Sequence, residues 1–241
     1  MDTVNIFGNE MILDNCPVSK RLRKNGVYES TESHLMLAEL RDDSVFLDIG
    51  AHIGYYSLLA STKIKSGEIH AFEPFPESYE KLVDNIHLNG ITNITAHKAA
   101  AFNVDTEKKL FTNELNYGDN SLYENGKGNG SMVSCIRLDN LFHDKRVDFI
   151  KIDTQGAECE VLEGLRDTIK GNKIKMIIEF YPHGLKQMGH EAIELLEKLV
   201  RMGFIIFNVK TLVKMKVGMF SKLVANTKGT SHRNFYCIKG A

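Results

Sequence analysis

The sequence has little that would mark a secreted protein, a membrane span or a zinc module. It contains only four cysteines, and no two of them have C-x-x-C spacing, so neither a zinc site nor a redox motif is indicated. No apolar run approaches the roughly 18 residues that a transmembrane helix needs. The first residues lack the basic start and the apolar core of a signal peptide. We therefore expect a cytoplasmic protein with reduced, buried thiols and no transmembrane segment.

A large excess of charge of one sign is also absent. The net charge is −1 at pH 7, whereas proteins that neutralise many phosphates usually carry a strong positive excess. A nucleic-acid partner is therefore not expected. The 241 residues, of which 43% are hydrophobic, are enough for one large α/β domain with a substantial core.

Strand and helix patterns alternate through residues 45–183. Apolar runs predict strands at 45–49, 68–72, 94–101, 148–154 and 174–181, and helical spacing predicts helices at 53–63, 77–89, 158–170 and, further on, 190–202. Near-continuous apolar strands are typical of a parallel sheet with helices on both faces. Two final strands, at 203–207 and 234–239, have no crossover helix between them, so the last strand should be antiparallel.

The remaining segments are expected to lie around this sheet. Residues 1–43, with a small hairpin at 3–13 and a short helix at 32–40, should form an N-terminal extension that packs on a main domain at 44–241. Residues 112–131 are rich in Asn, Gly and Ser, and they predict a long loop that acts as a mobile lid.

The turn after the first strand of this sheet has the composition of a nucleotide-binding turn. Asp48, Gly50, His52 and Gly54 belong to the segment DIGAHIG, where glycines allow a ligand to approach the backbone and the next helix offers free N–H groups. Glu73 ends the following strand, where a carboxylate can bind both hydroxyls of a ribose. Because ligands bind beyond the carboxyl ends of parallel strands, Ala100, at the end of the third strand, joins these predicted cofactor contacts.

The same turn favours S-adenosylmethionine (SAM) over a dinucleotide. A dinucleotide site has the pattern G-x-G-x-x-G, and its second glycine lets a pyrophosphate lie against the backbone. Here His52 occupies the middle of a G-x-x-x-G arrangement. Asp48 would repel a phosphate but suits an ammonium group, which the amino-acid end of SAM carries.

The chain resembles the FkbM-type family of SAM-dependent methyltransferases. The matching segments are VFLDIGAHIGYYSLLA (45–60), IHAFEPFPESYEKLVDNIHLNGI (69–91), RLDNL (137–141), VDFIKIDTQGAECEVLEGL (147–165) and IIEFYP (177–182), with GVYE (26–29) upstream. The resemblance implies an α/β, Rossmann-like, seven-stranded and mostly parallel sheet with an antiparallel last strand. It also implies O-methylation of hydroxyls on sugars, glycolipids or polyketides. This chain departs from the family in having Gln155 where Glu is usual.

Methyl transfer to a hydroxyl requires a base, or a metal that lowers the pKa of the hydroxyl. Asp153 and Glu179 end the fourth and fifth strands, so they should meet at one edge of the sheet and deprotonate the acceptor, either directly or by holding a divalent metal. His183 is a third catalytic candidate, and His52 is an alternative base. Asp153 and Glu158 could instead cap the next helix. Apart from this alternative for Asp153 and Glu179, the sequence assigns no residue as a metal ligand.

Lysines alternate with apolar residues from Lys210 to Lys228, and no family pattern matches this stretch. It could be a solvated insertion, a surface that meets an anionic acceptor, or a peripheral membrane contact.

Three functions remain open on the sequence alone. The leading one is O-methylation of a small-molecule or glycan acceptor. The others are N-methylation of nucleic acid or protein, and non-catalytic binding of SAM. The (Asp/Asn)-Pro-Pro-aromatic tetrapeptide of base N-methyltransferases is not found at 153–156, which counts against the second function.

Overall fold

A computed structural model describes residues 3–112, 120–124 and 130–239 of the chain. The strands are β1 (Thr3–Ile6), β2 (Asn9–Ile12), β3 (Val45–Ile49), β4 (Glu68–Phe72), β5 (Ile94–His97), β6 (Ala100–Phe102), β7 (Thr106–Phe111), β8 (Gly130–Arg137), β9 (Phe149–Ile152), β10 (Lys175–Phe180), β11 (Phe204–Asn208) and β12 (Arg233–Lys239). The helices are α1 (Pro17–Asn25), α2 (Ser30–Glu39), α3 (Tyr55–Ser61), α4 (Pro76–Leu88), α5 (Asp139–Phe142), α6 (Glu158–Gly164), α7 (Arg166–Gly171), α8 (Pro182–Gln187), α9 (Ala192–Arg201) and α10 (Phe220–Asn226).

Seven strands form the central sheet, in the order β11-β12-β10-β9-β3-β4-β5. β12 is antiparallel to both of its neighbours, and the other neighbouring pairs are parallel. The predicted Rossmann-like sheet with an antiparallel last strand is therefore confirmed. The chain builds outward from β3 in one direction and from β9 in the other, so the topological switch point, where ligands bind in such sheets, lies between these two strands.

Alternate residues of the central strands face two different helical layers. On one face, Leu47 and Ile150 pack with buried residues of α6 and α9. On the other face, Phe46, Phe149 and Ile177 pack with buried residues of α2, α3 and α4. Both faces are thus covered by helices, as the continuous apolar strands predict.

A row of polar residues lies on the second of these faces, towards the carboxyl ends of the strands. Asp48, Lys151 and Glu179 each follow one of the apolar residues of that face by two positions, and all three are buried. Asp48 is the register partner of Lys151, and Glu179 that of Asn234. The pairing of the strands, rather than their proximity along the chain, therefore assembles this polar row.

The N-terminal elements pack on the main sheet and its helices. The predicted hairpin is present as β1 and β2, and it is tied to α4, because Asn85 Oδ1 accepts the Ile12 N–H at 2.6 Å and Asn89 Oδ1 accepts the Glu10 N–H at 2.8 Å. Helix α2 lies against α3 and β10.

Two of the predicted boundaries were wrong. The expected strand at 94–101 ends at His97, because Ala100–Phe102 pairs with β8 instead, in a second sheet of order β6-β8-β7. The expected helix at 158–170 is divided into α6 and α7 at Leu165, whose backbone is not helical. Short helices α1, α5, α8 and α10 were not predicted at all. Most of the predicted lid at 112–131 lies outside the described residues.

A candidate cofactor and active site

A cavity of about 210 Å³ opens at the carboxyl edge of the sheet, beside the switch point. On the side of β4 and the small sheet its lining is mostly apolar and comes from Phe72, Pro74, Ala100, Ala101, Leu110 and Leu122. On the side of β9, β10 and β12 it is mostly polar and comes from Asp153, Thr154, Gln155, Glu179 and His232. The turn at 49–52 and Glu73 lie between the two. The cavity can therefore hold a ligand with one apolar and one polar end.

The turn after β3 is shaped by Gly50, a predicted cofactor contact that lines the cavity. Its φ of +83° is unusual for any other residue, and a Cβ built there would lie 1.9 Å from the Asp153 carbonyl oxygen. The N–H groups of Gly50 and Ala51 both donate to the Phe72 carbonyl at 3.0 Å. The turn is thus locked between the ends of β4 and β9.

The Glu73 carboxylate is held in one orientation on the cavity wall. Its Oε2 accepts the backbone N–H of His52 at 2.8 Å, and its Oε1 accepts that of Phe75 at 2.8 Å. Burial raises the pKa of Glu73 to about 7. Each oxygen has only one donor in these contacts, so the carboxylate can accept further hydrogen bonds from a ligand.

His52 lines the cavity next to Glu73, but its ring is turned towards the N-terminal segment. Its φ is +51°, and its Nε2 lies 3.6 Å from Asp14 Oδ2. Burial lowers the pKa of His52, which favours the neutral imidazole. Its backbone N–H, rather than its ring, therefore shapes the Glu73 site.

Two predicted cofactor contacts, Asp48 and Gly54, do not line the cavity. Asp48 Oδ2 accepts the Ser57 hydroxyl at 2.6 Å underneath α3, and burial raises the pKa of Asp48 to about 6. A Cβ on Gly54 would lie 2.6 Å from Leu82 Cδ1, so this glycine allows α3 and α4 to pack closely. Both residues therefore support the packing of α3 beside the turn and do not face the cavity.

Lys151 is a site residue that the sequence prediction missed. It lies in β9 with only 1% of its surface exposed, and its Nζ donates to Asp153 Oδ2 at 2.9 Å. Its ammonium also lies 5.2 Å from the centre of the Tyr56 ring. Burial opposes ionisation of Asp153, but the charge and hydrogen bond of Lys151 lower the pKa of Asp153 below its usual range. The available signal was a single lysine inside the apolar run FIKI.

Asp153 and Glu179 converge, as predicted, and a shared amide connects them. Gln155 Nε2 donates to Asp153 Oδ1 at 3.0 Å and to Glu179 Oε2 at 3.1 Å. Burial and the nearby carboxylates of Asp153 and Glu158 raise the pKa of Glu179 well above its usual range. The site therefore holds one carboxyl group that favours the ionised form and one that favours the protonated form.

Glu158 has a structural role, but it holds the turn before α6 and does not cap the helix as the alternative interpretation of the sequence expected. Its Oε1 accepts hydrogen bonds from the Thr154 N–H, the Thr154 hydroxyl and the Gly156 N–H at 3.1–3.2 Å. Glu158 is buried and does not line the cavity. It holds the turn that carries Asp153 and Gln155.

Two histidines, His183 and His232, lie near the end of β10. Only His183 was predicted as a site residue, but His232 is the one that lines the cavity. His183 is exposed on α8, contacts the rings of Tyr123 and Tyr181, and does not line the cavity. His232 does line it, and its Nε2 lies 4.0 Å from Glu179 Oε1. Because His232 precedes β12 and is distant from the strand-end acids in sequence, only strand pairing could reveal it.

The N-terminal segment completes the cavity wall with Pro17, Val18, Arg21 and Tyr28. The Tyr28 backbone is fixed by the Tyr55 hydroxyl, which accepts the Tyr28 N–H at 3.2 Å and donates to the Tyr28 carbonyl at 3.0 Å. The guanidinium of Arg21 lies 5.8 Å from the centre of the Tyr28 ring. This segment therefore supplies the cavity with a cation.

Asp14, Cys16 and His52 bring one carboxylate, one thiol and one imidazole within 4.8 Å of one another behind this wall. Such groups can hold a metal ion. Cys16, however, accepts the Ser19 N–H at the start of α1, and burial raises the pKa of its thiol to about 11. In its present role the cluster joins the N-terminal segment to the turn after β3.

The mostly parallel sheet, with a cavity at its switch point, defines a Rossmann-like α/β domain. A family model of the methyltransferase FkbM domain matches residues 48–206, more than half of the chain. The chain therefore belongs to the FkbM methyltransferase family, which confirms the resemblance seen in its sequence.

Two curated relatives are described as methyltransferases. The chain is 28% identical over 154 residues to Methyltransferase 1 of Beauveria bassiana, and 24% identical over 144 residues to the hexuronic acid methyltransferase AglP of Haloferax volcanii. These matches cover 54% and 56% of this chain, and only 62% and 56% of the relatives.

Two solved structures have the same fold at low sequence identity. A methyltransferase from Streptococcus mutans in complex with SAH (S-adenosylhomocysteine) has a TM-score of 0.53 at 11% identity, covering 88% of this chain and 97% of its own. A SAM-dependent O-methyltransferase from Thermotoga maritima has a TM-score of 0.51 at 13% identity, covering 92% and 70%.

Proposed function

We propose that this protein is a SAM-dependent methyltransferase that methylates a hydroxyl group of a sugar, a glycolipid or a related small molecule. The observation that carries the proposal is the fixed Glu73 carboxylate on the wall of a cavity that also holds Asp153. This carboxylate can accept further hydrogen bonds, and the two hydroxyls of a ribose are suitable donors.

The rest of the cavity fits the other parts of SAM. The apolar side, with Phe72, Pro74 and Ala100, suits an adenine ring. Arg21, on the wall that the N-terminal segment forms, suits the carboxylate of the amino-acid end. This assignment replaces Asp48, whose carboxylate is already bonded to Ser57.

Asp153 is the proposed base. When bound, SAM supplies an electrophilic methyl group: the acceptor oxygen forms the C–O bond while the C–S bond breaks and leaves its electron pair on sulfur. Asp153 receives the proton that the hydroxyl loses. Its low pKa makes it a weak base in the resting site, so most of the proton transfer occurs as the C–O bond forms. The fixed positions of Lys151 and Gln155 keep the carboxylate oriented for this role.

Glu179 has a complementary role in this proposal. As a buried, protonated acid connected to Asp153 through Gln155, it can donate a hydrogen bond to an acceptor oxygen and orient it. Glutamate in place of Gln155 would put a third carboxyl group between the two and would remove the donor that both of them use.

Direct base catalysis fits the site better than a metal held by the same acids. The Lys151 ammonium lies 2.9 Å from Asp153 Oδ2, at a position where a cation bound to this carboxylate would be repelled.

A polar acceptor with several hydroxyls agrees with the Tyr28, Gln155 and His232 side chains that line the cavity. The relative AglP, described as a hexuronic acid methyltransferase, supports a sugar acceptor.

The test is transfer of labelled methyl from SAM to a panel of glycans, glycolipids, RNA and peptides. Label is expected in an alkali-stable ether on the glycans or glycolipids. Label in RNA or peptide alone would contradict the proposed acceptor class, and the absence of SAM and SAH binding in calorimetry would contradict the proposed cofactor.

A further inference from the structure

A lysine-rich surface lies outside the proposed reaction site, in the connection between β11 and β12. No Asp or Glu follows Glu197, whereas residues 198–241 contain nine Lys and Arg. The residues up to 197 therefore contain 21 basic and 31 acidic residues. A nearly neutral chain thus carries a concentrated positive charge at its C-terminal end.

Exposed apolar side chains accompany these lysines. Leu212, Val213, Val217 and Met219 have 53%, 59%, 60% and 46% of their surface exposed, and they account for four of the ten large exposed hydrophobic residues among the described residues. They alternate with exposed lysines at 210, 214, 216 and 222. We refer to residues 210–222 as the lysine patch. Four large apolar side chains exposed within eight residues of sequence favour an interaction surface.

The exposure of the patch is fixed by its local structure. After β11 the chain turns back and pairs with the end of that strand, because the Asn208 N–H donates to the Val213 carbonyl at 3.0 Å and the Met215 N–H donates to the Ile206 carbonyl at 2.8 Å. Phe220 is 1% exposed and anchors α10 in the core. Phe220 therefore occupies the place in the core, and the local hydrogen bonds keep the exposed apolar side chains in solvent.

The patch lies at the same edge of the sheet as the cavity. β11 runs parallel to β10, because both are antiparallel to β12. The end of β11 and the start of β12 are therefore at the carboxyl edge, and His232, at the end of this connection, lines the cavity.

We propose that the lysine patch docks on an anionic membrane surface, with its apolar side chains inserted among the lipid headgroups and its lysines beside the anionic lipids. This is a peripheral contact, since no helix among the described residues has the length and hydrophobicity to cross a bilayer. RNA fits the patch less well, because it contains no arginine and its one aromatic residue, Phe220, is buried. Docking does not depend on the proposed methyl transfer.

Sedimentation with lipid vesicles tests this proposal. The protein is expected to bind vesicles of phosphatidylcholine mixed with phosphatidylglycerol, not phosphatidylcholine alone, and to bind less as salt rises. Replacing Lys214, Lys216 and Lys222 by Gln should weaken binding about 100-fold, at about fivefold per lysine. Val217→Ser with Met219→Ser should weaken it about tenfold.

A matched control changes three exposed lysines at the opposite edge of the sheet, Lys63, Lys170 and Lys173, to Gln. This control should bind vesicles like the wild type, and all variants should keep wild-type affinity for SAH. An equal loss in the control, or no binding to the anionic vesicles, would overturn the proposal. Tighter binding to poly(U) RNA than to vesicles, unaffected by the serine changes, would identify a nucleic-acid surface instead.

Discussion

The two sides of the cavity are built by different means. On the β3–β4 side, backbone N–H groups and a glycine turn hold one carboxylate, Glu73. On the β9–β10 side, a buried ammonium and a side-chain amide hold two, Asp153 and Glu179. The first arrangement depends on backbone shape, and the second depends on charge.

This difference predicts how the two sides respond to substitution. Glu73 lines the cavity, where water can bond to its backbone donors when the side chain is replaced, so a change on the β3–β4 side should affect ligand binding more than folding. A buried charge loses its compensation when its partner is removed, so a change on the β9–β10 side should affect catalysis, stability or both.

The largest effect is expected for Asp153→Asn. The amide keeps the shape of the carboxylate but is a far weaker base, so kcat should fall by about 10²–10⁴-fold. SAH affinity measured by calorimetry should change little, since Glu73 and the turn after β3 are untouched.

Asp144→Asn, which alters an aspartate with 85% of its side chain exposed, is the matched control and should leave kcat unchanged. Near-wild-type turnover of Asp153→Asn would show that Asp153 only caps the turn after β9. The base would then have to be sought at His232 or His52.

The contrast between the two sides also explains what the sequence could and could not predict. The turn at 48–54 and Glu73 are local signals, since their spacing along the chain reflects one strand-turn-helix unit. His232 joins the site only through the pairing of β10 with β12. Lys151 had a local signal, a single lysine inside the apolar run of β9, but apolar periodicity alone does not say that its charge pairs with Asp153. Asp48 shows the limit of local signals. Its position at a strand end predicted a ligand contact, but the alternation of side chains along β3 places it on the face that α3 covers, where it binds Ser57.

Lys151→Met should have the next largest effect, on stability. Removing one partner of a buried charge pair typically costs about 3–5 kcal/mol. The methionine fills similar space, so the loss reports the uncompensated Asp153 charge rather than a cavity. Urea unfolding followed by circular dichroism measures it, and Lys175→Met, at a partly exposed lysine that pairs with Glu39, is the control.

The pH dependence of this loss has a definite sign. The pKa of Asp153 is lowered in the folded protein, so its ion pair stabilises the fold above the unfolded pKa of about 3.9 and this stabilisation is lost as pH falls through the folded pKa. The stability difference between wild type and Lys151→Met should therefore be full at pH 7 and narrow in acid. A difference that does not change with pH would mean that packing, not charge, is the role of Lys151.

Glu73→Ala should have a smaller effect, confined to binding. The loss of hydrogen bonds to a charged group should weaken SAH binding by about 1.5–3 kcal/mol, with little change in stability. Glu77→Ala, which alters an exposed glutamate in the first turn of α4, is the control.

The pH dependence of SAH binding also tests Glu73. Because the pKa of Glu73 is about 7 and ribose hydroxyls favour its ionised form, wild-type affinity should fall as pH decreases through 7. Glu73→Gln should remove this dependence, and a retained dependence would assign it to another group.

Arg21→Met should have the smallest effect, and it tests whether the N-terminal segment belongs to the cofactor site. Methionine keeps an apolar stem beside Tyr28 but removes the charge that faces the cavity. An exposed charge pair contributes little, so SAH affinity should fall only about fivefold.

A second ligand and a second variant serve as controls. Methylthioadenosine, which has the adenine and ribose of SAH but no amino acid, should bind the wild type and Arg21→Met equally. Lys24→Met, on the same helix but outside the cavity lining, should change neither affinity. If both ligands lose affinity together, Arg21 shapes the cavity as a whole. If neither loses affinity, its charge serves the acceptor, and the carboxylate of the cofactor has another partner.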